Sequence, residues 1–367
     1  MILKKSNIIY FIGQIGLGGS EKQLYLLLKY LNRTDLLFHI IVFNDSPYGN
    51  LKKELYKIGV KLYFIPEEKK TIPKRFFYLY KLVKKINPIL IHSWTIHDNA
   101  YAGILGKILN IKSVGSIRGS MYGTGFAKLS YALKQTALRI VDVLIVNAKS
   151  LKKEAIDFGL PEKKIKYISN CVEVNKDNRT VSKEFIVCCI GNLRKNKNQS
   201  FFIKIMKDVI DDIPVAKGWI IGQPVDDEPN VQIELANEIR IHQLEEKVCL
   251  LGFQSNIIKL LKKCSILVVP SKSEGMPNVV LEAMSIGIPV ISSNVGGLSE
   301  LIHHGKNGLL CNIKNKTEFV DAIKLLLTEN HLNRKLGANG KKFISSRYIP
   351  SKTVHRFNNF YYDLLGI

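Results

Sequence analysis

The strongest constraint on this chain is an alternation of short β-branched runs with longer helical stretches, and that alternation starts twice. In the first half the strand-like runs are residues 8–12, 39–43, 61–65, 90–92, 113–117, 143–146 and 166–168. Helical patterns such as 20–31 and 74–85 separate them. Parallel neighbours need a long crossover between them, so this alternation specifies βαβ units on a parallel sheet. Residues 171–184, CVEVNKDNRTVSKE, interrupt it with a polar, irregular stretch that reads as a linker. The alternation then resumes at 185–190, 217–221, 248–251, 266–269, 289–292 and 308–311. A chain of 367 residues has room for two such domains. The expected fold class is α/β, with two tandem Rossmann-like, doubly wound domains and a cleft between them. The expected division is 1–170, a linker at 171–184, 185–345, and a C-terminal helix within 346–367. Residues 351–365 carry Phe357, Phe360, Tyr361, Tyr362, Leu364 and Leu365. That apolar content fits packing on the second domain or a return to the first.

The charge is uneven. Lys and Arg number 54 against 31 Asp and Glu, a net +23. Residues 1–183 hold 31 basic and 13 acidic side chains, net +18, and the remainder 23 and 18, net +5. The first half therefore calls for an anionic partner: nucleic acid, an anionic membrane or a phosphorylated acceptor. Codon bias toward lysine is the alternative source of the excess. Residues 69–85, KKTIPKRFFYLYKLVKK, hold seven basic and four aromatic side chains and no acid. After Pro73 they read as a helix with Leu79 and Val83 toward the core and a basic edge fitted to lipid headgroups. No recognisable nucleic-acid-binding module accompanies the charge, so no nucleic-acid partner is expected. The six cysteines form no C-x-x-C pair, which argues against a zinc knuckle and suits a reducing cytosol. The opening MILKKSNIIYFIG reads as a first strand, not a signal peptide. No run approaches the roughly 18 apolar residues of a membrane-spanning helix. The expected location is the cytoplasm, peripherally on the inner face of the plasma membrane.

Three segments carry chemistry. Residues 15–31, IGLGGSEKQLYLLLKYL, follow the first strand and open a helix. Gly16, Gly18 and Gly19 permit close backbone approach there, with Ser20 as an expected helix cap. Residues 188–200, CCIGNLRKNKNQS, place Arg194, Lys195 and Lys197 just past a strand end, where cations would neutralise a leaving diphosphate. Residues 271–302, SKSEGMPNVVLEAMSIGIPVISSNVGGLSELI, put Glu274 in a loop and Glu282 one turn into a helix read over 279–285. Backbone N–H groups around Asn278, Val279 and Val280 would meet a phosphate at that helix start. A carboxylate on either side suits a nucleotide sugar, one accepting ribose hydroxyls and the other sugar hydroxyls. The adjacent acids Asp211–Asp212 and Asp226–Asp227 lie in polar, loop-like stretches and do not form D-x-D, so no metal is expected.

Together these segments make the chain similar to the retaining glycosyltransferases of family 4, which have the GT-B architecture. The likeness runs through GLGGSE, SIRG near Ser116, the stretch from VDVLIVNAKS to ISNCV, GNLRKNKNQ, WIIGQP, LLGFQSNI, the 271–302 string and HHGKNGLL. The resemblance implies transfer of a sugar from a nucleoside-diphosphate donor to a saccharide or lipid-linked saccharide acceptor in cell-surface polysaccharide synthesis. The resemblance assigns acceptor binding to the first domain and nucleotide-sugar binding to the second; the donor is a substrate, and no cofactor is implied. By position, Glu274 would contact the transferred sugar, Glu282 the ribose and Lys197 the diphosphate. Gly18 and Gly19 would approach donor phosphate and sugar. Gly275, Met276 and the backbone of Asn278, Val279 and Val280 would line the donor, and Gly252 and Phe253 the base. Asn192 stands where the family usually has Arg, so Arg194 would supply that charge. Arg118 stands where many members have His, which nominates it beside Glu274 and Lys197 as catalytic, with His92 and His97 as neighbours. A nucleotide-sugar epimerase on the same fold and a basic nucleic-acid-binding protein are the competing readings.

Overall fold

All thirteen expected runs become strands. The computed structural model describes residues 6–31, 35–45, 50–121, 131–174, 184–225 and 227–366, with the backbone alone for 131–133. Residues 1–5 of the expected first strand region, 175–183 of the expected linker, and Asp226 lie outside the described residues. The strands are β1 (Ser6–Ile12), β2 (Leu36–Val42), β3 (Lys61–Phe64), β4 (Leu90–Ser93), β5 (Lys112–Ile117), β6 (Val143–Val146) and β7 (Ile165–Tyr167). They form one sheet in the order β3-β2-β1-β4-β5-β6-β7. A second sheet holds β8 (Ile186–Ile190), β9 (Lys217–Ile221), β10 (Val248–Leu250), β11 (Ile266–Val269), β12 (Val290–Ser293) and β13 (Leu309–Cys311) in the order β10-β9-β8-β11-β12-β13. All paired strands are parallel. Each sheet reverses its strand order once, between β1 and β4 and between β8 and β11, as in doubly wound folds.

The first unit runs to Cys171 and takes in the chain again from Pro350; the second is Val172–Ile349. Parallel sheets bury both faces, and β1 shows how. Ile8, Tyr10 and Ile12 pack on one side with Leu24, Phe357 and Tyr361, whereas Ile9 and Phe11 pack on the other with Leu79 and Val83. The C-terminal helix Pro350–Leu365 thus supplies core to the first sheet, and the Tyr361 hydroxyl lies 2.9 Å from that of Tyr10 and 2.8 Å from His92 Nδ1. In the second unit, alternate residues of β8 serve two cores: Val187 and Cys189 in one, Ile186 and Cys188 in the other.

Boundaries move where non-local pairing decides them. β2 starts at Leu36, ahead of the expected 39, because Leu36 and Leu37 pair with Ser6 and Asn7. Ser293 extends β12 by pairing with Cys311. The first helix begins at Gly19 with Gly18 as its cap, so Ser20 lies inside the helix and does not cap it. Asp211 and Asp212 are not in a loop. They end the helix Gln199–Asp212 and pair with Lys207 and Lys324.

Candidate active site

Ligands of open α/β sheets bind beyond the carboxyl ends of the strands where the order reverses. In the second unit that place is set by the loops after β8 and β11. The β8 loop runs from Gly191 through a short 3-10 turn, Lys195–Lys197, to Asn198, whose φ of 59° turns the chain into the helix Gln199–Asp212. The β11 loop runs through Ser271, Glu274 and Pro277 into the helix Asn278–Ser285. Two hydrogen bonds staple the loops together. Lys272 N donates to the Asn196 carbonyl at 2.8 Å, and Asn198 Nδ2 to the Pro270 carbonyl at 3.1 Å.

This brings Lys197 and Glu274 into contact across the switch point. Lys197 Nζ is 2.6 Å from Glu274 Oε1, and the Ser271 hydroxyl donates to the same oxygen at 2.7 Å. The Glu274 side chain is only 9% exposed and that of Lys197 25%, so the pair is largely removed from water and weakly screened. Glu274's backbone is held from behind: Gly297 N donates to its carbonyl at 3.1 Å. Gly296 adopts φ 52°, and a Cβ there would sit 2.1 Å from the same carbonyl oxygen, so only glycine permits this approach. Ser271, which sequence reasoning did not single out, is what aims the carboxylate; a serine three residues before a loop glutamate was the available signal.

The other expected donor contacts of the second unit lie on the β11 loop, on the helix it opens and just after β10. Gly275 and Met276 are buried in the β11 loop, Asn278 and Val279 open the helix, and Glu282 lies in it, 7% exposed. The Val280 N–H is already engaged with the Pro277 carbonyl at 3.2 Å, against the expectation that it holds a phosphate. Gly252 and Phe253 follow β10. Gly222 N donates to the Gly252 carbonyl at 3.0 Å, and Gly252, at φ 62°, has open space where a Cβ would be. Arg194 is turned elsewhere. Its guanidinium pairs with Asp227 at 3.0 Å, and only its carbonyl meets Lys197, through the backbone.

Gly18, Gly19 and Arg118 belong to the first unit. Gly18 is exposed at the start of the helix Gly19–Tyr30. At the first sheet's own reversal, a cavity of about 380 Å³ is lined by Gly13, Gln14, Glu21, Arg75, His97 and Asp98, among others. Burial pushes the Asp98 carboxyl up to about 6, against the opposing Thr95 hydrogen bond and Arg75 charge. Burial likewise raises Glu21. His92 is held between the Tyr361 hydroxyl and Ser116 Oγ, and burial, with the Arg118 charge, keeps it neutral. It is a structural residue of the core.

Two family models match the chain: Glycosyltransferase Family 4 over residues 17–176 and Glycosyl transferases group 1 over 173–343. An N-acetyl-alpha-D-glucosaminyl L-malate synthase of Bacillus anthracis is 28% identical over 61% of this chain and 60% of its own length. A UDP-Gal:alpha-D-GlcNAc-diphosphoundecaprenol alpha-1,3-galactosyltransferase of Escherichia coli is 26% identical over 84% of this chain and 85% of its own. Among solved structures, Anabaena HepE in complex with UDP and glucose superposes with a TM-score of 0.85 at 19% identity, covering 98% of this chain and 100% of the other, a likeness of fold.

Proposed function

Because the chain belongs to the group 1, family 4 glycosyltransferases and has their GT-B fold, we propose that it moves a sugar with retention from a nucleoside-diphosphate sugar to a saccharide acceptor. The observation that carries this reading is the Lys197–Glu274 contact at the switch point of the second sheet. An ammonium and a carboxylate held side by side match the two ends of such a donor. Lys197 offers its N–H groups to the diphosphate and stabilises the charge that grows on it as the bond to the sugar breaks. Glu274 accepts hydroxyls of the transferred sugar and fixes its anomeric carbon against the leaving group. The acceptor oxygen then attacks from the same face. Its proton passes to the phosphate oxygen that has just lost the sugar, so the nucleoside diphosphate leaves protonated and no protein nucleophile is consumed. Glu282, buried one turn along the helix Asn278–Ser285, is assigned to the ribose hydroxyls. With lysine and backbone N–H groups as counter-charge, the reaction proceeds without a divalent ion.

The acceptor is a lipid-linked saccharide used in cell-surface polysaccharide; the diphosphoundecaprenol-linked acceptor of the Escherichia coli relative and the capsular polysaccharide glycosyltransferase CapH of Staphylococcus aureus, 24% identical over 82% of this chain, support this. The first unit meets the membrane through the helix Ile72–Ile86. Leu79 and Val83 are fully buried, while Ile72 and Phe77 are 72% and 58% exposed beside exposed Lys74, Lys81, Lys84 and Lys85. Arg75 does not join this edge, since it donates to the Lys70 carbonyl and packs over Phe43. No helix among the described residues is long and apolar enough to cross a membrane.

The test is a panel of nucleotide sugars with lipid-linked saccharides, read by nucleoside diphosphate release and by the anomeric configuration of the product. Release that requires acceptor, persists in EDTA and gives a retained anomer is the expected result. Release without transfer, or epimerised donor, would overturn the reading. For the membrane, vesicles with anionic lipid should sediment the protein in a salt-sensitive way, and changing Lys74, Lys81, Lys84 and Lys85 to Ser should release it. Equal sedimentation with neutral vesicles would remove the membrane from the account.

A further inference from the structure

Arg118 stands directly after β5 with its guanidinium carbon 3.5 Å from the centre of the Trp94 ring. Trp94 is buried and anchored by its Nε1, which donates to the Ser20 carbonyl at 2.8 Å, so the guanidinium rests on a fixed surface. Its Nη1 donates to Asn170 Oδ1 at 3.2 Å. Its Nε and Nη2 are buried and meet no hydrogen-bond partner among the described residues, and no carboxylate there is ion-paired to it. Those two nitrogens share one edge of the guanidinium, the fork that takes a carboxylate or a phosphate through two parallel N–H bonds. Burial pushes the group down to about 9, which still leaves it charged near neutrality. Two buried N–H groups of a charged fork are costly to leave unmet unless an anion arrives to fill them.

A second unmet group lies beside it. Asn147 directly follows β6 and is 3% exposed. Its Nδ2 donates to the same Asn170 Oδ1 at 3.3 Å, and its own Oδ1 is buried with no partner among the described residues. Turning this amide over would set two carbonyl oxygens against each other, so Asn147 presents an acceptor. The helix Lys149–Asp157 begins two residues later, with the favourable end of its dipole on this side. The ends of β5 and β6 thus display a fork that seeks an anion and an oxygen that seeks a hydroxyl.

We propose that Arg118 and Asn147 form the receptor for an anionic, hydroxylated group of the acceptor: a carboxylate or phosphate with a hydroxyl close by. This rests on reading the first unit as the acceptor half. The ligand chemistry has two sources, a hydroxy acid or a phosphorylated sugar, and the experiment separates them. Calorimetric titrations of the full chain, with and without UDP, use glycolate, acetate and glucose 1-phosphate as probes. Glycolate binding assigns a hydroxy acid and glucose 1-phosphate binding a sugar phosphate. Acetate, lacking the hydroxyl, should bind about tenfold more weakly than glycolate. Arg118→Met should abolish binding of the anions, and Arg118→Lys, which keeps the charge and loses the fork, should weaken it about tenfold. Asn147→Leu should bring glycolate down to the level of acetate, and this variant serves if Arg118→Met does not fold. Anion binding that is unchanged in Arg118→Met and Asn147→Leu overturns the inference. A wild-type chain that binds UDP and none of the three anions also overturns it while leaving the glycosyltransferase reading in place; one that binds the anions and uses no donor of the nucleotide-sugar panel overturns that reading and leaves the anion site.

Discussion

Lys197 and Glu274 are 77 residues apart in the chain, yet one ammonium and one carboxylate meet at 2.6 Å in a site largely shielded from water. Removing the ammonium should therefore hurt twice. Lys197→Ala deprives the departing diphosphate of its nearest cation, and about a 10²–10³-fold loss of kcat is expected by analogy with other preorganised donors. It also leaves the Glu274 carboxylate buried without its counter-charge, so the thermal midpoint should fall as well. Steady-state kinetics and thermal unfolding on one preparation check both; unchanged turnover would remove Lys197 from the reaction. Glu282→Ala should act on binding. Losing charge-assisted hydrogen bonds worth about 1.5–3 kcal/mol weakens UDP by about 10- to 150-fold whatever sugar it carries. Calorimetry with UDP alone decides this. Both acids were legible as candidates, because two carboxylates around a strand–loop–helix point to a hydroxyl-rich ligand. That Ser271 would share Glu274 Oε1 with Lys197, or that Arg194 would be taken up by Asp227, was not legible, since each depends on the direction of a side chain.

At the level of elements, the first sheet carries its own titratable clasp. His39 on β2 lies 3.2 Å from the Tyr63 hydroxyl on β3 and 3.0 Å from Asn7 Oδ1 on β1, joining three adjacent strands. Burial first, and the Lys61 charge second, push its imidazole down to about 4 from 6.5. As pH falls through 6.5 toward 4, the unfolded chain therefore takes up a proton that the folded one refuses, and stability declines over that window. His39→Gln removes this proton while keeping a side chain that hydrogen-bonds. Its urea midpoint should drop less than that of the wild type between about pH 7.5 and about pH 5. Parallel pH dependences would show that His39 carries no part of the acid sensitivity. The strand itself was readable from its β-branched run. Its added residues at 36–38 were not, because pairing with Ser6, Asn7 and Ile8 of the neighbouring strand, and not local composition, extends it.

On the scale of the whole molecule, the first unit is discontinuous. Its core includes Val354, Phe357, Phe360 and Tyr361 from the C-terminal helix, and Tyr361 meets Tyr10 of β1 from 351 residues further along the chain. A chain ending at residue 349 should lose the cooperative unfolding of this unit and keep that of the other, since Val172–Ile349 carries its own two cores. Hydrogen exchange followed by mass spectrometry would show protection lost on β1 and β4 and retained on β8 and β11. Native-like protection throughout the first sheet would mean the helix is dispensable. The sequence by itself determined the α/β class, the succession of thirteen strands along the chain and the loops that hold the candidate residues. Those features come from local periodicity and from glycines whose conformational freedom a short segment already displays. Only the tertiary structure decided which side chains meet. The Lys197–Glu274 pair, the return of the last helix to the first sheet and the unfilled fork of Arg118 all arise from contacts between segments far apart in the chain, and no local pattern encodes the register or direction in which such segments face each other.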